Sequence, residues 1–360
     1  MNTKHKLGEY INAVDIRNKN LTVNKLLGVS INKTFIESIA NTIGTDFSNY
    51  KIVRRGQFAY CPVTSRNGEK ISIALLKEDD CIISSSYTVF EITDNKKLLP
   101  EYLMLWFMKP EFDRFARFKS HGSVREIFDW QQMCDVELSI PDIEKQKKFV
   151  NIYKIITDRI VLKNRINKNL EEQAQAIFKS WFVDFEPFGG VMPNNWHMGI
   201  LSEIAEIQSG KKPLLKQSEK TETANIEIVG ATSVMGFTNN YNHNEKILVI
   251  GRVGTHGVVQ RFNYPCWASD NTLVIKANYY EYVYQLLKQI DYSILNRGST
   301  QPLITQGDMN KISILIPDSK ILIKYENIIT TLMNKYENNR IENQRLSALR
   351  DTLIPELINS

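Results

Sequence analysis

One stretch of this chain occurs twice without a gap, and that repetition constrains the fold more than any other feature. Gly122-Ser123 aligns with Gly298-Ser299, Met133 with Met309, Ile140-Pro141-Asp142 with Ile316-Pro317-Asp318, Ile152 with Ile328, Asn167 with Asn343 and Leu170 with Leu346, each pair 176 positions apart (298 − 122). An offset that stays constant over about sixty residues means one structural unit used twice.

Each copy runs into a long helical pattern. In the first, Phe149, Tyr153, Ile156, Ile160, Lys163, Asn167, Leu170, Ala174, Ile177 and Trp181 alternate steps of four and three, the spacing of a coiled-coil seam. The second places Tyr325, Ile329, Leu332, Tyr336, Asn339, Asn343, Leu346, Arg350, Leu353 and Leu357 on the same ladder. No Pro or Gly interrupts either until Pro355, and each follows Pro-Asp, where Asp142 or Asp318 can cap the first free N–H groups.

A helix of about 40 residues is about 60 Å long, too long for a single ordinary domain to wrap. Its stripe needs a partner helix, and the other copy supplies one. The order block, helix, block, helix permits a parallel pair with both blocks at one end, or an antiparallel pair with one block at each end. We expect the antiparallel form, related by a pseudo-twofold axis. Asn167 and Asn343, polar at aligned seam positions, are expected to fix register at some cost in stability.

At 360 residues, 42% hydrophobic and 24% charged, the chain suits two globular domains plus connecting structure. No apolar run reaches the ~20 residues a membrane span needs, and Met1 to Lys6 leads into no signal-like segment, so a cytoplasmic location is expected. Cys61, Cys81, Cys134 and Cys266 are scattered without a Cys-x-x-Cys pair, which indicates neither a zinc site nor a disulfide framework. A net charge of +5 is too mild to imply nucleic acid by itself.

The first block, residues 1–141, reads as a mixed domain. Lys51 to Val63 is β-rich with a break at Gly56-Gln57, a turn at Arg66-Asn67-Gly68 precedes a strand from Lys70 to Leu76, and Cys81 to Ile92 reads as a strand pair. Pro100 to Phe118 reads as a helix broken near Pro110, and Asp135 to Ile140 as the strand feeding the first long helix, 142–187. Pro187 to Pro193 is a breaker-rich linker. The second block, 188–317, repeats the plan with strands at Lys246 to Gly251, Thr272 to Lys276 and Lys311 to Ile316 and a helix from Tyr279 to Leu287; the second long helix is 318–360. Between their matching ends the blocks do not align, which suggests like frames with unlike fillings.

No catalytic constellation emerges. Gly251, Gly254 and Gly257 lack the Lys-Ser/Thr of a phosphate loop, and His5, His121, His197, His243 and His256 show no ligand spacing. Binding chemistry is better represented. Lys211, Lys212, Arg252, Thr255 and His256 fall in predicted turns of the second block, with Arg54, Arg55, Thr64, Arg66, Asn67 and Lys70 as counterparts in the first. Short turn residues let a backbone approach phosphate, and Arg reaches guanine edges. Ser299, Thr300 and Gln301 join the set as possible backbone contacts. For each of these residues singly, solvated surface or a structural turn is the plainer reading.

These residues together resemble the specificity subunit of type I restriction-modification systems. The resemblance rests on Gly298-Ser299-Thr300-Gln301, the two Ile-Pro-Asp openings, Ile166-Asn167-Lys168-Asn169-Leu170, Ala176-Ile177-Phe178-Lys179-Ser180-Trp181-Phe182, and Pro193 with Trp196 and Leu201. At Val124-Arg125-Glu126 the first block departs from the Thr300-Gln301-Pro302 of the second. The resemblance implies an α+β chain of two globular α/β target recognition domains separated by two long antiparallel helices. It implies a non-catalytic reader of split double-stranded DNA that docks two methyltransferase subunits and restriction subunits. It also implies no cofactor on this chain, S-adenosylmethionine being held by the methyltransferase. A coiled-coil scaffold with no DNA role is the alternative; turn-borne Arg and Lys in both blocks distinguish the two.

Overall fold

The structure, a computed structural model, describes residues 4–38, 44–65, 67–120, 126–253, 257–295 and 303–359, with backbone alone for 294, 295 and 354–359. It divides into two compact units, Met1–Leu162 with Glu342–Ser360, and Lys163–Ile341, so that each long helix contributes to both.

The first unit contains strands β1 (Lys4–Lys6), β2 (Ile11–Val14), β3 (Leu27–Val29), β4 (Phe35–Glu37), β5 (Lys51–Val53), β6 (Phe58–Tyr60), β7 (Ile73–Leu75), β8 (Cys81–Ile83) and β9 (Thr88–Ile92). Helices α1 (Pro100–Phe107), α2 (Pro110–Lys119) and α3 (Trp130–Cys134) follow, then β10 (Glu137–Ser139) and the long α4 (Ile143–Phe182). Both α1 and α2 begin on proline, whose fixed φ suits the first helical position and whose missing N–H would have had no partner there. Four strands form an antiparallel sheet in the order β2-β9-β6-β7. Its inner face stacks Phe58 on Phe90, centroids 4.8 Å apart, against Phe107 of α1. The expected Cys81 to Ile92 strand pair exists as two strands that do not pair: β8 joins β5, and β9 joins β2 and β6. Asn67-Gly68 does not close a two-residue hairpin either. It sits in the longer β6 to β7 connection, where Asn67 N–H donates to Thr64 O at 3.0 Å.

The second unit contains β11 (His197–Ile200), β12 (Ala205–Ser209), β13 (Ile226–Val229), β14 (Val234–Thr238), β15 (Ile247–Gly251), β16 (Val259–Phe262), β17 (Cys266–Ala268) and β18 (Thr272–Ala277). After these come α5 (Tyr280–Gln289), α6 (Gln306–Asn310), β19 (Ser313–Ile316) and the long α7 (Ser319–Asn359). Its antiparallel sheet runs β12-β18-β15-β16, and a smaller sheet runs β14-β13-β17 with β13 and β17 parallel.

The repeated ends fold alike, bond for bond. Leu7 N–H donates to Val136 O at 2.8 Å, and Leu201 N–H to Ile312 O at 3.0 Å. Capping boxes start α3 at Asp129 and α6 at Thr305, and Met133 and Met309 are fully buried beneath them. The non-aligning interiors are less unlike than the sequence suggests. In each unit the strand after the entry pairs with the strand before the first full helix, and that strand pairs with a hairpin in the middle of the block. One four-stranded order therefore carries both sets of unrelated residues.

Every ladder position whose side chain is described is buried or half-buried, including Ile156, Ile160, Leu170, Ile177, Trp181, Leu332, Asn343, Leu346 and Leu353. Within the second unit the helices run antiparallel. Phe182 packs against Tyr325 at 4.9 Å, Asn167 Nδ2 donates to Tyr336 O at 3.0 Å, and Lys163 Nζ donates to Asn339 Oδ1 at 2.9 Å. Residues 163 and 339 are 176 apart, the repeat offset itself, so they occupy equivalent positions. Within the first unit Arg159 pairs with Glu342 at 2.5 Å. Asp142 and Asp318 cap the backbone as expected, accepting from Lys145 N–H and Lys320 N–H, each at 2.9 Å. Among the described residues no helix is long and apolar enough to cross a membrane.

Candidate nucleic-acid interface

In the first unit the turn after β5 lifts Arg54 and Arg55 into solvent. The turn is built by Gly56 at φ 89, by Gln57, whose side chain accepts from Arg54 N–H at 2.8 Å, and by Asp80, which accepts from Arg55 N–H at 3.2 Å. Backbone bonds hold the loop, so both guanidinium groups stay available, and neither is ion-paired among the described residues. Lys70 is likewise exposed. Asn67 is half-buried and spends its amide on Ser72 Oγ at 3.1 Å.

Thr64 leaves the candidate set. It is 2% exposed, and its hydroxyl donates to Glu126 O at 3.2 Å, so it closes a loop instead of facing solvent. Arg66, Thr255, His256, Ser299, Thr300 and Gln301 lie outside the described residues.

In the second unit Lys211 and Lys212 are exposed on the loop leaving β12. Arg252 is half-buried at the end of β15, where its N–H donates to Asn271 O at 2.8 Å and its carbonyl accepts from Ile304 N–H at 3.0 Å. Among the described residues its side-chain Nε is buried without a hydrogen-bond partner, a costly arrangement. Among the described residues no three His, Cys, Asp or Glu side chains gather as metal ligands.

Residues that fasten each globular part to its own stretch of long helix escaped the sequence reading. In the first unit Gln146 of α4 accepts from Leu99 N–H, at the start of α1, and donates to Lys97 O and Pro141 O, each at 2.8 Å. In the second the task falls to charge. Glu326 of α7 accepts from Glu281 N–H and Tyr282 N–H at 3.2 and 2.8 Å, capping α5, and burial raises its pKa. Arg261 makes a bidentate pair with Glu281 at 2.6 and 2.8 Å and lies 4.9 and 4.5 Å from the Tyr280 and Tyr284 ring centres. Tyr284 donates in turn to Glu171 of α4 at 2.9 Å. Ladder periodicity singles out apolar positions, so Glu171 and Glu326, beside the seam, gave no signal; Gln146 is one polar residue among many.

Two sheets of one strand order, each holding exposed cationic turns and each tied to a repeated long helix, define a duplicated recognition scaffold. The chain belongs to the type I restriction modification DNA specificity domain family, whose model matches residues 10–172 and again 193–350. It is 24% identical over 435 aligned positions to the type I restriction enzyme HindI specificity subunit of Haemophilus influenzae, covering 92% of each chain. It is 25% identical over 299 positions to the MjaIX specificity subunit of Methanocaldococcus jannaschii, covering 72% of this chain and 68% of that one. Its fold is that of the type I restriction-modification S subunit from M. genitalium, with a TM-score of 0.65 at 16% identity over 99% of this chain and 96% of the other.

Proposed function

We propose that this chain is the specificity subunit of a type I restriction-modification complex. Residues 1–141 read one half of a split double-stranded DNA target and residues 188–317 read the other, while 142–187 and 318–360 set the distance between them. The subunit carries no catalytic site. It works in the cytoplasm by directing two methyltransferase subunits, which hold S-adenosylmethionine and flip the target adenine, and restriction subunits that join them.

The observation that carries this reading is the doubling. The family model matches the chain twice, and each match contains the same four-stranded order with exposed cations on its turns that are unpaired among the described residues. A protein that reads one contiguous site needs one such surface. Two connected surfaces suit half-sites separated by about a helical turn. Partner docking is supported by Ile155, Val161 and Leu162 of α4, apolar residues off the seam and more than half exposed, which give a partner subunit apolar surface to cover.

The test is to co-express the chain with its methyltransferase partner and map methylated adenines across the host genome. A motif of two short specific halves separated by unread positions is expected. A contiguous motif would remove the two-reader assignment. An unmethylated genome despite a soluble complex would remove the function.

A further inference from the structure

In both units the connection leaving the first strand of the four-stranded sheet carries an exposed leucine. In the second unit this connection follows β12. Its base is held by Gly210 N–H to Thr272 O at 3.0 Å, Lys211 N–H to Ala268 O at 2.9 Å and the Trp267 indole N–H to Lys211 O at 2.6 Å. A Cβ on Gly210 would stand 2.0 Å from Ser269 O, so the backbone passes where no side chain fits. At the far end Gln217 and Phe237 exchange both backbone hydrogen bonds, at 2.9 and 2.8 Å. Between these anchors Leu214 is 100% exposed. Lys211, Lys212 and Lys216 stand exposed around it, and none is paired with a carboxylate among the described residues.

In the first unit the connection follows β2. Asn18, itself buried, closes it: its side chain donates to Val23 O at 2.9 Å and accepts from Val23 N–H at 3.2 Å, and its carbonyl accepts from Leu21 N–H at 2.9 Å. Leu21 is held at φ 51, in the left-handed region that residues with a Cβ avoid. It is 53% exposed, so burial does not offset the strain. Lys19, exposed and unpaired among the described residues, lies two positions away.

Single exposed leucines are ordinary on protein surfaces. These two share the same place in sheets of the same order, a backbone fixed on both sides and cations alongside. Aliphatic side chains of this kind part stacked base steps and kink a duplex, while neighbouring lysines hold its phosphates. We propose that Leu214 and Leu21 are paired wedges, each opening one base step in the half-site read by its own unit. The inference rests on the DNA-reading function proposed above. It also supplies what a base-flipping partner needs, a duplex already partly unstacked.

The experiment uses the complete chain bound to its methyltransferase. The probe is a duplex carrying the motif recovered by adenine mapping, with 2-aminopurine placed in turn along each half-site. Wild type is expected to raise fluorescence at one step in each half besides the target adenine that the methyltransferase flips. Leu214→Ala should abolish the rise in the second unit's half-site only, and Leu21→Ala in the first unit's only. Each should weaken binding about tenfold, the lost contact being apolar, with the salt dependence unchanged because no phosphate contact is removed. Leu214→Met should restore the signal. Unchanged fluorescence and affinity in both alanine variants would overturn the wedges while leaving DNA reading intact. Loss of methyltransferase co-purification in either variant would also overturn them, by assigning the leucine to a protein contact. A wild-type complex that binds no duplex would overturn the underlying function, and the wedges with it.

Discussion

Individual side chains here are held by partners that make substitution effects predictable. Asn339 Nδ2 donates to Asn167 Oδ1 at 2.9 Å inside the seam, so Asn167→Ala leaves buried polar groups without their partner. A loss of roughly 1–3 kcal/mol is expected, read as a lower urea midpoint at unchanged slope. Gly210→Ala should cost more, on the order of 3 kcal/mol or above, because the backbone carbonyl its Cβ meets cannot swing aside. Glu245 pairs with Lys276 at 2.6 Å, and the hydrogen bond from that lysine lowers its carboxyl from 4.5 to about 2. Between those values the unfolded chain binds the proton and the folded chain does not, so folding stability falls as pH drops from about 4.5 toward about 2. Glu245→Gln should flatten that acid limb in a series of thermal melts, leaving the neutral range little changed. Residue roles were the least legible level in the sequence. Thr64 looked like a surface turn residue and is buried, because exposure depends on Glu126, far away in the chain. The polar residues that tie α1 and α5 to the long helices are equally long-range.

Elements were legible in proportion to how local their signals are. The long helices declared themselves through periodicity and Pro-Asp starts, and α1 and α2 through their prolines. Strand partners did not: β8 and β9 look like a hairpin, yet the serine-rich turn between them sends each to a different sheet. The shared sheet order of the two units was also hidden, since it is a pattern of pairing and not of residue identity. For α4, apolar residues off the seam lead to a further expectation. Ile155→Asp with Leu162→Asp should leave the chain folded, both residues being more than half exposed, but should abolish co-purification with the methyltransferase. Retained assembly would place docking elsewhere.

For the molecule as a whole, duplication makes the two proposed readers separable by experiment. Replacing residues 1–141 by the first block of another family member should change one half of the methylated motif and leave the other as it was. Inserting about four residues, one helical turn, before Leu170 should alter the unread gap and leave both halves unchanged. Charge reversal at Lys211 and Lys212 should weaken DNA binding and reduce the slope of log affinity against log salt by roughly one to two.

The link between Lys163 and Asn339 has one more implication. Because these residues occupy matching positions and touch, any chain made from two identical copies would meet itself at that point. Two copies of the first half would set ammonium against ammonium in a half-buried position, whereas two of the second would set amide against amide, which can bond. Asn339→Lys should therefore destabilise the chain more than Lys163→Asn does. Like charges at this position make a pairing of two first halves the less stable arrangement.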